Sequence, residues 1–281
     1  MTSYLRCALL AVCLSAGVTP LRAASDVAAL EVAKREARGQ HVARVAALSR
    51  DIESNNADGS TLANLLRERG VALSHLLRYD DAVADFTRAI ELDGFNPQFY
   101  QDRAIVLLRQ RNYTGANTDL DMVLGLDRGN FSGLREKGRA AFYQSEFDVA
   151  ADYFLKAART VDREAQVYAV LWVTLATHRA GRPSPLSVKV SGDPEKAPRP
   201  VPVADLLAGG STPEQVMARA KSDTAITHLE LQCEAHFYVG QYHLIKGDKA
   251  AAKAHFEAAV ATEVTDYMEY DWARRELEAL N

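Results

Sequence analysis

The side chains best suited to metal chemistry are Cys233, His236 and His243. Cys233 and His236 lie one helical turn apart and His243 two turns further on, so a helix would carry all three on one face. A thiolate and two imidazoles are zinc ligands. The same segment also reads as core, with a thiol packed as a small hydrophobe and amphipathic histidines beside it, and this is the preferred account. The paired acids Asp80-Asp81 and Asp119/Asp121 fall where turns or exposed helix faces are expected, and read as capping and solvated groups. No Gly-x-Ser-x-Gly, Walker loop, dinucleotide glycine fingerprint or His-Glu-x-x-His occurs in the sequence. The chain is therefore expected to be no enzyme and to need no cofactor or metal.

The elements that would position such residues are bounded by composition. The chain has 281 residues, 48% hydrophobic and 25% charged, the balance of an ordinary folded protein. A net charge of −4 gives no basic excess and argues against a nucleic-acid partner. No uninterrupted apolar run reaches the ~18 residues a membrane span requires. Residues 1–23 read as an export signal: Arg6, then the apolar run Cys7 to Val18, then Pro20 and a small Ala23 as the cleavage residue. Val12 before Cys13 is bulky where lipoprotein processing needs a small residue, so a lipid anchor is not expected. Cleavage after Ala23 leaves Cys233 as the single cysteine.

Internal repetition sets the rest. Ala82, Ala116 and Ala150 are each 34 apart, as are Phe86, Leu120 and Phe154, and Ala89, Val123 and Ala157. Gly70, Ala104 and Gly138 keep the same register, as do Leu73, Leu107 and Ala141. A small residue at Gly70 lets a second helix cross closely, and Phe86, between Ala82 and Ala89, fills the gap. Three units follow, 63–96, 97–130 and 131–164. A fourth starts with Tyr168, Leu171 and Leu175 facing inward, then fails, because Trp172 stands where a small residue is needed. Pro183 and Pro185 end that helix and open an extended proline-rich connector. Thr212-Pro213-Glu214 starts a further helix. Gly240, Gly247, Ala252, Phe256 and Ala259 restore the register in a unit over 233–266. Tyr270, Ala273, Leu277 and Leu280 mark a closing helix capped by Thr265 or Asp266, and a long helix over 26–52 caps the other end.

These columns resemble the tetratricopeptide-repeat family. The resemblance implies an all-α solenoid of helical hairpins, about four repeats interrupted by the connector, with terminal capping helices. The expected layout is a signal peptide at 1–23, an N-terminal helix and loop at 24–60, and three units at 63–164. An incomplete repeat and connector at 165–232, a unit at 233–266 and a closing helix at 267–281 complete it. Within the family, the order of units and the segments 168–176, 202–214 and 233–240 are similar to the group of the bacterial lipoprotein NlpI and its unlipidated relatives. That similarity implies a periplasmic adaptor, with a C-terminal-processing protease or peptidoglycan hydrolases as clients and a homodimer through residues 26–52. An assembly or secretion factor for envelope subunits is the alternative, and an enzyme or metal-binding protein the rival from another class.

A solenoid of this family is lined on its concave side by the first helix of each unit. The resemblance places Asn64, Arg67 and His75 there from unit one, and Gln98, Gln101 and Arg109 from unit two. Unit three adds Arg135, Arg139, Phe142 and Tyr143. Four arginines in this set, against a net-negative chain, suit an acidic or carboxylate-bearing client. Arg135 and Arg139 are expected to point into solvent.

Overall fold

The computed structural model describes residues 24–54, 58–160, 163–185, 201–222, 225–265 and 267–281. The expected signal segment 1–23 and residues 186–200 of the connector lie outside them. The described residues form helices and no strand. In chain order these are α1 Ala24–Glu53, α2 Gly59–His75, α3 Tyr79–Leu92, α4 Pro97–Arg109 and α5 Tyr113–Leu126. Then come α6 Phe131–Tyr143, α7 Phe147–Ala158, α8 Arg163–Arg179, α9 Val201–Ala208 and α10 Pro213–Arg219, followed by α11 Ala225–Ile245, α12 Lys249–Ala261 and α13 Met268–Leu280. The chain divides into two units, one of residues 36–187 and one of 1–35 with 188–281.

In the first unit, α2–α3, α4–α5 and α6–α7 are the three expected hairpins. Each begins where a side chain takes up a free backbone N–H: Asp58 accepts from Thr61, Asn96 from Gln98 and Asn130 from Gly133. Within a hairpin the two helices cross at the small residue of the first. A Cβ on Gly70 would lie 2.8 Å from Phe86, and one on Gly138 2.6 Å from Phe154. In α4–α5 the same crossing pairs Ala104 with Leu120, a larger residue against a smaller one, and both are fully buried. Between hairpins, Ala63, Leu66, Ala89 and Phe99 form a common cluster that Ile52 of α1 joins. The turn after each first helix passes through a left-handed residue: Leu77, Arg111 and Ser145, 34 apart, at φ 61°, 62° and 62°.

The broken fourth unit is as expected in one respect and not in another. Among the described residues, 180–185 leave the helix after α8, and Trp172 fills the crossing position against Phe154 at 5.4 Å and Phe142 at 5.8 Å. Leu171 and Leu175 are buried, but Tyr168 is 42% exposed. The buried stretch runs without a break from Ala169 to Thr177, so this helix is covered all round, and a one-face stripe does not describe it.

In the second unit, α11 starts at Ala225, eight residues ahead of the expected 233. It pairs with α12 at Gly240, whose Cβ would lie 2.6 Å from Phe256. The turn residue is Gly247, at φ 82°. Thr212 caps α10 with the reciprocal Thr212–Gln215 box. The closing helix departs from expectation. It starts at Met268 after Tyr267, which makes no side-chain cap, so Thr265 does not stand at the cap position, while Asp266 lies outside the described residues. Its buried face is Trp272, Ala273 and Glu276, with Trp272 against Phe237 at 5.4 Å and Gln241 donating to Glu276 at 2.7 Å.

Candidate functional site: the first-helix face of the repeats

The three first helices of the repeat unit, α2, α4 and α6, set equivalent side chains side by side. Asn64 is exposed, and Arg67, His75, Gln98, Gln101, Arg109, Arg135 and Tyr143 are partly exposed, as a lining position requires. Two of the expected residues are not. Arg139 is 3% exposed and Phe142 is buried, so neither points into solvent. Phe142 is covered by local packing: Trp172 of α8 lies against it, and Arg179 stacks over the Phe142 and Phe147 rings at 5.7 and 4.7 Å. Arg139 is drawn to the buried Glu136.

The arginines are matched by acids from one column of the repeat. Glu68, Asp102 and Glu136 are 34 apart, one position beyond the expected lining residues. Arg44 of α1 pairs with Glu68. Arg67 Nε donates to Asp102 Oδ2 at 2.6 Å, and Gln98 donates to its other oxygen at 2.7 Å. Arg139 Nη1 and Arg135 Nε both donate to Glu136 Oε1, at 2.6 and 3.0 Å. Burial pushes the Asp102 carboxyl above its ordinary value, against the pull of Arg67 and Gln98. Burial also opposes ionisation of Glu136, but Arg139 and Arg135 outweigh it and hold the carboxyl below its ordinary value. Arg67, Arg135 and Arg139 are therefore paired with carboxylates of the protein itself. Three of the four arginines expected to await an acidic client are thus engaged within the chain.

A second column ties the hairpins together. Arg69 grips both oxygens of Asp85 at 2.8 and 2.7 Å and reaches Ser49 of α1 at 3.1 Å. Arg103 does the same with Asp119, at 2.8 and 2.7 Å, and reaches Thr87 of the preceding hairpin at 2.9 Å. In the third unit Lys137 keeps only the backward contact, to Asp121 at 2.7 Å. Asp119 is buried and structural, which corrects its expected place on a solvated face. The signal was present in the sequence as Arg69/Arg103 and Asp85/Asp119 at the repeat period. Asp80 and Asp81 sit in the first turn of α3 as expected.

The trio Cys233, His236 and His243 does not converge. Cys233 is buried, His236 bonds to His255 of α12, and His243 stacks on that same ring. Among the described residues no three His, Cys, Asp or Glu side chains are placed to hold a metal ion. None of the described helices is long and apolar enough to cross a membrane.

Residues 67–131 match the family model of the tetratricopeptide repeat. A tetratricopeptide-repeat protein from Parabacteroides merdae is similar at 15% identity and a TM-score of 0.51, over 90% of this chain and 98% of its own. The APC/C hetero-tetramer Cut9–Hcn1 is similar at 13% identity and a TM-score of 0.50, over 86% of this chain and 40% of the matched one.

Proposed function

Taking as premise that the chain is a tetratricopeptide-repeat solenoid, we propose that it is a scaffold holding an extended segment of another protein against α2, α4 and α6. The observation that carries this reading is the row of Asn64, Gln98, Gln101 and Arg67, accessible on successive first helices. Amide groups and a half-open guanidinium offer donors and acceptors to a peptide backbone. Because Arg67 and Arg135 already have carboxylate partners, recognition rests on hydrogen bonding and fit, with net charge contributing little.

The finer reading is that the protein is exported, is cleaved after Ala23 and works in the periplasm as an adaptor. Its clients are a C-terminal-processing protease or peptidoglycan hydrolases. The pattern of residues 1–23 and the similarity of segments 168–176, 202–214 and 233–240 to the NlpI group support it. Val32 and Val42, exposed on α1, support a homodimer through residues 26–52.

The test is crosslinking capture from periplasm with wild type and with Asn64→Glu/Gln101→Glu, which adds charge to the row without breaking a buried pair. Loss of the captured hydrolase or protease by more than tenfold, about 1.4 kcal/mol, is expected. Arg159→Glu, at the exposed end of α7, is the comparison and binds as wild type. Wild-type capture by the double variant would place binding elsewhere.

A further inference from the structure

In the unit of residues 188–281, α11 and α12 meet through two buried imidazoles. His236 Nδ1 and His255 Nδ1 are 2.9 Å apart, and the His243 ring stacks on His255 with centroids 5.4 Å apart and planes at 16°. A hydrogen bond between two ring nitrogens needs one to donate and the other to accept, which two neutral rings do. One added proton leaves that bond in place, since an imidazolium can donate to a neutral ring, but it sets a charge among buried side chains, where an unmatched charge is costly. A second proton turns two N–H groups toward each other and ends the bond.

We propose that this pair is an acid-sensitive latch of the α11–α12 hairpin, closed while both rings are neutral and opened as the buried pair takes up protons. The surrounding groups set its direction. His243, on α11, opposes charge on His255. Glu214, the first-turn acid of α10, attracts a proton to His255 but is itself exposed. Asp248 stands 4.0 Å from His243. On α11 itself Cys233 and Glu234 are buried nearby in sequence. From α13, Glu276 is engaged by Gln241 and Glu269 by Tyr238. From the end of α9, Asp205 lies against the turn at Gly210.

Burial, with repulsion from His255, holds His236 down to about 3. Burial, with repulsion from His243, holds His255 down to about 4. The opened hairpin, with ordinary histidines near 6.5, therefore binds more protons than the closed one between those limits. Stability of the hairpin is present above pH ~6.5 and falls as the pH drops toward 4. From pH 7 to 5 the opening equilibrium should rise by about twentyfold for each histidine that titrates.

The test is amide hydrogen exchange of the full chain at pH 7 and pH 5, corrected for the intrinsic rate of exchange. The latch predicts a rise above tenfold in the opening of α11 and α12, with α4 and α5 changing much less. His255→Gln, which cannot take the proton, should flatten the response. Should that variant not fold, imidazole NMR of the wild type serves instead, and both rings must stay neutral at pH 5 in the folded chain. A rise below tenfold in α11–α12, an equal rise in α4–α5, or rings titrating near 6.5 would each overturn the latch.

Discussion

Gly138 and Phe154 share one point of contact: a Cβ on the glycine would lie 2.6 Å from the ring. That distance is closer than carbon atoms can pack, so the crossing of α6 and α7 has no room for any side chain at 138. Gly138→Leu should destabilise by about 1–3 kcal/mol through overpacking. An exposed glycine would instead gain from a better helix former. Urea unfolding separates the two, and an unchanged midpoint would refute the crossing. Gly138→Ala with Phe154→Leu copies the Ala104–Leu120 pairing of the middle hairpin, and should recover much of what Gly138→Ala alone loses.

The grip of Arg103 on Asp119 leaves the carboxylate buried with two charge-assisted bonds. Arg103→Leu strands that charge and should cost about 3–5 kcal/mol. Arg103→Leu with Asp119→Leu removes both charges together and should cost much less, since a buried pair and an apolar replacement of like volume are close in free energy. A double-mutant cycle by thermal or urea unfolding checks this. Additive losses would mean that the two residues do not depend on each other.

The packing columns were legible in the sequence because steric fit repeats with the unit: Gly70, Ala104 and Gly138 need small volume wherever two helices cross. The first-helix positions of Arg67 and Gln101 followed from the same register. Burial of charge was not legible. Asp119 and Glu136 have the composition of a solvated face, and only the neighbouring helix shows which arginine covers them. Phe142 is covered because the indole of Trp172 packs onto the end of α6, which a one-face stripe on α8 does not foresee, and Arg139 is turned inward by Glu136, a pairing the repeat register does not carry. The early start of α11 had no repeat signal, since the family register covers residues 233–266 alone.

The Glu136 carboxylate carries two arginines, and substitution of either side should be felt as pH dependence. Its pKa in the folded chain is below the ordinary 4.5, so its contribution is present above that value and lost as the pH falls through the folded value. Glu136→Gln should flatten the acid limb of the stability curve below pH ~4.5 and lower stability at neutral pH, where the buried Arg139 loses the Glu136 anion. Arg139→Glu should be worse, because it sets two carboxylates together in a buried site, in contrast to the harmless change expected of a solvent-facing arginine. Circular dichroism melts from pH 3 to 7 measure both. A Glu136→Gln curve parallel to wild type would show that the pair does not couple to folding.

The turn after each first helix needs a backbone that L-residues adopt reluctantly. Leu77, Arg111 and Ser145 have φ near 60°, whereas the corresponding turn of the α11–α12 hairpin uses Gly247, at φ 82°. The left-handed conformation brings Cβ against the backbone, at about 1–2 kcal/mol for a residue that has one. Glycine avoids that clash but is freer in the unfolded chain, which returns part of the gain. Ser145 is exposed, and its backbone N–H already bonds to the carbonyl of Phe142, a contact glycine retains. Ser145→Gly should therefore stabilise by up to about 1 kcal/mol, while Gly247→Ser should lose a similar amount. Opposite signs for one chemical exchange at equivalent turns separate backbone strain from side-chain loss. Equal signs in matched urea titrations would mean that the turns are not equivalent and that the 34-residue register does not reach Gly247.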